Sequence, residues 1–209
     1  MRFAIPSLTL LFVLSIGQDC GADDNGFVSL VNQKLSHFNT EGNWKVDKAG
    51  VVTLTPRPGE KGWSRYKSYL WLKKTYKDFT IDLEYKHPKG GNSGVYFRVG
   101  DSSKGDKPHF EVQILDSHGK KGKLGHHDCG GIIGIGGPKT NAANPAGEWN
   151  RLVITHKGNH IHATLNGKLI QDLEVPAAAA KNRPTPGHVG LQDHGQPFSL
   201  RNIRIKQLD

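Results

Sequence analysis

The sequence is poor in sulfur, with two cysteines and one methionine in 209 residues. One cysteine, Cys20, falls in the N-terminal segment treated below, which leaves Cys129 as the only thiol of the mature chain and no partner for a disulfide. A small stapled scaffold is therefore excluded, and the domain has to hold itself together by burying a core. Helical periodicity is lacking too. No stretch sustains apolar residues at three- and four-residue intervals, and 26 glycines with 11 prolines speak against a helical bundle. Nor is there a block of like charges or a nucleic-acid motif. Lys and Arg outnumber Asp and Glu 28 to 19, for a net charge of +9, but they are spread along the chain, so no nucleic-acid partner is expected. No internal repeat of 20–50 residues occurs. No apolar run is long enough to span a bilayer comfortably.

What is present begins with a leader. Arg2, an apolar run over residues 3–16 and the small residues Gly17, Gly21 and Ala22 have the layout of a secretory signal. Cleavage is expected after Ala22, or alternatively after Gly17, so residues 1–22 are read as the signal and 23–209 as one domain. That places the protein in the periplasm or outside the cell. Lipid attachment through Cys20 is the weaker reading, because Asp19 stands where a small residue is needed.

Beyond the leader the period is two almost everywhere. Strands are expected at 43–47, 51–55, 68–72, 79–86, 93–99, 109–115, 131–135, 149–156, 160–165, 168–174, 188–192 and 200–206. Each is rich in β-branched and aromatic residues and bounded by Gly, Pro or Asn. Asn166-Gly167 between two alternating runs is a hairpin signal, since both central residues of a type I′ turn need positive φ. Residues 176–186 form a loop in which Ala177 to Ala180 could make one helical turn. About a dozen strands with almost no helix predict an all-β fold: a two-sheet antiparallel β-sandwich of jelly-roll type.

Alternation also sorts side chains by face. In 93–99, Val95, Phe97 and Val99 share one face, and Gly94, Tyr96 and Arg98 the other. In 109–115, Phe110, Val112 and Ile114 oppose Glu111 and Gln113. In 188–194, Val189 and Leu191 oppose His188, Gly190, Gln192 and His194. Three strands thus pair an apolar face with one carrying Arg, Glu, Gln, Tyr and His, a richer set than a merely wetted surface usually shows. In Glu111-Val-Gln113-Ile-Leu-Asp116 the adjacent Ile114 and Leu115 break the alternation. A β-bulge there would return Asp116 to the face of Glu111 and Gln113; without one, Asp116 ends the strand as a turn residue. The spacing resembles the catalytic strand of laminarinase-type glycosidases, with the central carboxylate replaced by Gln113.

The chain from about Gly26 to Leu208 also resembles a family in an ordered set of motifs. They include Gly42-Asn-Trp-Lys-Val, Gly91-Asn-Ser-Gly-Val-Tyr-Phe-Arg98, Glu111-Val-Gln-Ile-Leu-Asp116, Pro145-Ala-Gly-Glu-Trp-Asn150, Gly190-Leu-Gln-Asp-His-Gly195 and Arg201-Asn-Ile-Arg-Ile205. On these it is similar to the 3-keto-disaccharide hydrolase family, whose fold is a concanavalin-like sandwich. One loop departs from that pattern: Asp128-Cys-Gly-Gly-Ile-Ile-Gly134 stands where relatives often have Tyr-Thr-Gly-Ala-Ile-Tyr-Gly, so contacts in that loop do not transfer.

The resemblance implies cleavage of glycosides already oxidised to a ketone at C3. Such a ketone acidifies the C2 proton; a base removes it, the C1–O bond breaks by β-elimination, and water adds back. In this reading His194 is the base, Arg98 stabilises the enolate, and Glu111 or Asp116 protonates the leaving group or orients the histidine. Asn92, Tyr96, Gln113, Gln192 and His188 position sugar hydroxyls. No cofactor is required, although a divalent cation assisting enolate formation stays open, and a sugar 3-dehydrogenase has to supply the ketone. Two alternatives stand beside it: a lectin-like carbohydrate-binding module without catalysis, and a conventional retaining glycosidase using Glu111 and Asp116.

The bland readings are specific as well. Arg98 and Glu111 would make a cross-strand ion pair. Asn92 would be a turn residue. His126, His127, Asp128 and Cys129 would be surface groups of a glycine-rich loop rather than a metal cluster. His156, His160 and His162 are expected on exposed strand faces, and Arg65 and Lys73 at the border of the cleft.

Overall fold

The computed structural model describes residues 25–105 and 108–209. The leader read at residues 1–22, with Cys20 and both cleavage choices, lies outside the described residues. The strands in chain order are β1 (Val28–Ser29), β2 (Phe38–Asn39), β3 (Trp44–Val46), β4 (Val52–Leu54), β5 (Leu70–Tyr76), β6 (Phe79–Lys86) and β7 (Asn92–Val99). There follow β8 (Phe110–Leu115), β9 (Asn150–Lys157), β10 (His160–Leu165), β11 (Lys168–Glu174), β12 (Gly187–Leu191) and β13 (Phe198–Gln207). A single helical turn, α1 (Ala177–Ala180), precedes β12, where the alanine run suggested one. Asn166 (φ 51°) and Gly167 (φ 77°) make the tight hairpin between β10 and β11.

The strands form two antiparallel sheets. One has the order β11-β10-β9-β6-β13-β4-β3, with β1 also paired to β13; the other has the order β2-β5-β12-β7-β8. Their facing sides bury one continuous core that includes Val52, Leu54, Leu72, Ile81, Leu83, Val95, Phe97, Val112, Ile114, Leu152, Ile154, Val189 and Leu200. Val95, Phe97, Val112, Ile114 and Val189 are among the residues that alternation set on an apolar face, because successive side chains of a pleated strand leave on opposite sides. The two-sheet sandwich expected from the period is thus the observed fold.

Three local expectations differ. Residues 131–135 are not a strand; Ile132 makes only isolated bridges, to Val112 and to Gly136, and the rest is loop. The two-residue strands β1 and β2 are too short to leave an alternating signature. His156 does not lie on an exposed face. It continues the inward series of β9 and sits fully buried against Phe79, Phe97 and Phe110.

The outward side of the five-stranded sheet carries a second apolar cluster of Tyr69, Trp71, Tyr96 and Val99, with Tyr66 packed against it. This is why β7 is buried along nearly its whole length. One face of the strand meets the core, and the other meets an aromatic layer that floors a cavity.

Candidate active site

The cavity on this outer face has a volume of about 390 Å³. Its floor comes from adjacent strands. On β7 and β8 the register sets Gly94 opposite Gln113 and Tyr96 opposite Glu111, without interruption from Asn92↔Leu115 to Phe97↔Phe110. Just past β12, Gln192 is pinned to β7 by its own N–H to the Gly94 carbonyl (2.9 Å) and by the Ser93 hydroxyl donating to its carbonyl (2.8 Å). Asn92, Tyr96, Glu111, Gln113, Gln192 and His194 all line the cavity. Alternation therefore found the floor.

Glu111 is the chemical centre of that floor. It is only 7% exposed, and burial raises its carboxyl from 4.5 to about 7, against the opposing influence of the Tyr96 hydroxyl. It lies flat across Gly94, where an added Cβ would come within 2.4 Å of its Oε1, so glycine is what leaves room for it. With its amide turned so that neither end faces a like group, Gln113 donates to Glu111 Oε1 (3.0 Å) and to the Ser93 carbonyl (3.3 Å). The Gln113 amide also meets that of Asn92 at 3.2 Å, and Asn92 stands 3.4 Å from His194 Nε2. A polar chain therefore connects the carboxyl to the imidazole.

Behind it, Gln192 Nε2 donates to both the Tyr69 hydroxyl (2.9 Å) and the Tyr96 hydroxyl (3.0 Å). The Tyr69 hydroxyl itself donates to the Trp63 carbonyl (2.6 Å). Burial drives both phenols well above the usual tyrosine range, so they remain protonated and serve as fixed dipoles.

His194 sits in the loop after β12. Burial lowers its imidazole from the ordinary 6.5, partly countered by its own backbone and by Asp193, so the neutral form prevails at neutral pH. Asp193 is fully buried and accepts from Arg65 Nη1 (3.0 Å) and from the Gly195 N–H (2.7 Å). Arg65 also pairs with Glu60 at 2.8 Å, and the Gly62 N–H donates to the His194 carbonyl (3.1 Å). The approach is close: a Cβ on Gly195, at φ 75°, would lie 2.4 Å from Lys61 Cα. These contacts lock the histidine loop to the loop between β4 and β5. Arg65 thus borders the site as expected, but as a structural clamp, while Lys73 stands exposed on β5 and is not part of the lining.

Three candidates lie elsewhere. Arg98 has φ 58°, in the left-handed region, and the register of β12 against β7 shifts between His188 and Gly190. The extra residue inverts the alternation. Val99 consequently joins Tyr69, Trp71 and Tyr96, whereas Arg98 turns away and donates to the Gly158, Pro184 and Thr185 oxygens. It neither pairs with Glu111 nor reaches the cavity. Asp116 is not returned by a bulge, since the β7–β8 register is regular; it ends the strand and accepts from the Gly90 N–H (2.8 Å) in the adjoining turn. His188, beside the same register shift, contacts the Leu72 carbonyl (3.2 Å) and is not part of the lining.

The sequence reading missed Trp63, Tyr66, His109 and Ile133, which complete the lining. Trp63 and Tyr66 come from an aperiodic loop, and Ile133 from a segment misread as strand. His109 packs its ring 4.8 Å from Tyr96 and follows the parity of Glu111 and Gln113, a signal that the sequence did carry. His127 also lines the cavity, but its neighbours do not join it as a metal cluster. Asp128 is held by Lys120 (2.6 Å) and the Gly125 N–H (2.6 Å), and Cys129 is buried against the Tyr85 hydroxyl (3.1 Å). Among the described residues no three His, Cys, Asp or Glu side chains gather as a metal cluster.

Comparison with known proteins agrees with this architecture. The model of the 3-keto-alpha-glucoside-1,2-lyase-like domain matches residues 26–206. A 3-keto-disaccharide hydrolase of Bacteroides thetaiotaomicron is 25% identical over 173 residues, which cover 64% of this chain and 60% of that protein. The chain thus matches well under two thirds of that relative's length. The crystal structure of a candidate glycosyl hydrolase from Parabacteroides distasonis is 28% identical, with a TM-score of 0.71 over 87% of this chain and 99% of the other. The carbohydrate-binding module CBM66 of Bacillus subtilis, 13% identical with a TM-score of 0.53 over 87% of this chain and 96% of its own, shares the fold.

Proposed function

Because this chain belongs to the 3-keto-alpha-glucoside-1,2-lyase-like family, we propose that it cleaves glycosides whose C3 hydroxyl has been oxidised to a ketone. The observation that carries the proposal is the buried Glu111 carboxyl, held near pH 7 and joined through Gln113 and Asn92 to a neutral His194. A carboxyl that keeps its proton near neutrality is an acid, and a neutral imidazole is a base, so the two environments divide the roles.

His194 takes the C2 proton, and the C–H electron pair becomes the enolate of the C3 ketone. As the carbonyl re-forms, the electrons move into a C1=C2 double bond and the C1–O bond breaks. The departing oxygen takes the proton of Glu111. Water then adds to C1, giving a proton back to the Glu111 carboxylate, while the imidazolium returns its proton to C2. The sum is hydrolysis, with both side chains restored. With Arg98 turned away and bound to loop oxygens, no guanidinium meets the developing enolate in this reading.

The retaining alternative needs a second carboxylate across the cleft. Glu111 is the only carboxylate lining the cavity among the described residues, and Asp116 caps a turn, so elimination is the better reading. Incubation with a glucoside and with its 3-keto counterpart is the direct test. Cleavage of the ketone alone is the expected outcome; cleavage of both would favour conventional hydrolysis, and of neither a binding module. In His194→Ala turnover of the 3-keto substrate should fall at least 100-fold with the fold intact; near-normal turnover would remove His194 from the mechanism. The ketone itself has to come from a sugar 3-dehydrogenase acting beforehand, in the exported setting that the leader suggests.

A further inference from the structure

We infer that Trp63, backed by Tyr66, is the subsite for the leaving group, and that this group presents a flat apolar face, as an aryl ring or a second pyranose does. The inference rests on the reaction proposed above and adds the class of aglycone.

Trp63 is 53% exposed, and only Leu169 joins it as an exposed large hydrophobic among the described residues. A lone exposed hydrophobic side chain is ordinary; Trp63 stands out because it also lines the cavity. Its backbone, however, is anchored on all sides. The Trp63 carbonyl accepts from Tyr69, the preceding N–H bonds to His194, and Arg65 two residues on is paired with both Glu60 and Asp193. The platform is therefore held in place before any ligand arrives, which lowers the entropic cost of binding to it.

Its position follows from depth. Glu111, Gln113, Tyr96 and Gln192 are each at most 7% exposed, so the reacting ring must descend to them and the bond to its leaving group must point back toward the mouth. Tyr66 bridges that path: it lies near enough to Glu111 to feel its charge, and its ring stands 6.1 Å from Trp63 at 72°. The two rings make an aromatic corner facing the exit route. Such a corner stacks against a planar ring or the C–H face of a sugar, while a methyl group is too small to cover it.

The test is KM and kcat for methyl, phenyl and glucosyl 3-keto-glucosides with wild type, Trp63→Ala and Trp63→Phe. In wild type the phenyl or the glucosyl substrate should have a KM roughly 5- to 10-fold below that of the methyl one, and the arm showing it identifies the aglycone. Trp63→Ala should abolish that ratio and Trp63→Phe should largely restore it, with thermal melts confirming folding. A ratio unchanged in Trp63→Ala, or an equal loss for all three substrates, would overturn the subsite. If wild type cleaves none of the three, the proposed reaction itself fails. The subsite is then judged by calorimetric titration with intact phenyl and methyl glucosides: tighter phenyl binding that depends on Trp63 supports it, and no dependence on Trp63 refutes it.

Discussion

Glu111 and His194 are displaced from their ordinary titration ranges in opposite senses, one upward and one downward, and burial is the first cause in both. The proposed roles require Glu111 protonated and His194 neutral. Activity should therefore rise as His194 loses its proton below 6.5 and fall again as Glu111 ionises through about 7, giving a narrow bell in kcat/KM. With the roles reversed the bell would keep both limbs, because ionised Glu111 with protonated His194 carries the same number of protons. The assignment is tested instead by which limb Glu111→Gln removes: loss of the alkaline limb fits Glu111 as the acid, and loss of the acid limb fits it as the base. Glu111→Gln should lower kcat 100-fold or more. The same variant should be more stable than wild type in alkali. A carboxyl whose folded pKa exceeds its unfolded one stabilises the fold below about 4.5 and loses that contribution as pH rises through 7. The size is on the order of 3 kcal/mol for a group this buried. Melting curves at pH 5 and pH 8 should show the gap in favour of Glu111→Gln widening with pH.

At the scale of the element, the parity of a strand decided what was legible beforehand. Tyr96, Glu111, Gln113 and Gln192 were found because the pleat of β7, β8 and β12 is regular where they stand. Arg98 was misplaced by the same rule, since one left-handed residue reverses every assignment beyond it. For Asp116 the sequence left two readings open, a bulge or the end of the strand, and the continuous ladder selects the second. Trp63 and Tyr66 lie in a loop where no period exists to read, and only contacts distant in sequence, such as Arg65 to Asp193, fix where that loop goes. Gly94 tests how tightly the strands hold their cargo. It has no positive φ, so the backbone of Gly94→Ala is unstrained. Its methyl would nevertheless press on Oε1, at 2.4 Å, and on Cγ, at 2.9 Å, of Glu111. Activity should drop at least 10-fold through a displaced carboxyl, with a stability loss of about 1–3 kcal/mol; an unchanged kcat would mean that the position of Glu111 is not critical.

For the whole molecule, the core contains an imidazole that the reaction does not use. His156 is enclosed by three phenylalanines, and burial, with a contribution from the nearby Arg98 guanidinium, lowers its pKa from 6.5 to about 4. A histidine depressed in this way contributes stability that is present above 6.5 and lost as pH falls toward 4. The loss is on the order of 3 kcal/mol across that window. His156→Leu should flatten this acid-side decline in chemical denaturation at pH 4.5 and 7.5; equal pH dependence in both proteins would refute it.

The two sides of the cavity are built differently. Glu111 and Gln113 belong to β8, the outermost strand of its sheet, and the outer edge of that strand is satisfied by loop backbone: Gly130 and Gly131 bond to Gln113, and Ile133 to Glu111. The opposite side is cemented by Asp193, Arg65 and the tyrosine layer. Of residues 126–136 only His127 and Ile133 line the cavity, while Cys129 and Ile132 pack in the core and Gly130 and Gly131 leave no room for a Cβ. This wall can therefore change at two side chains without disturbing the backbone rim of β8.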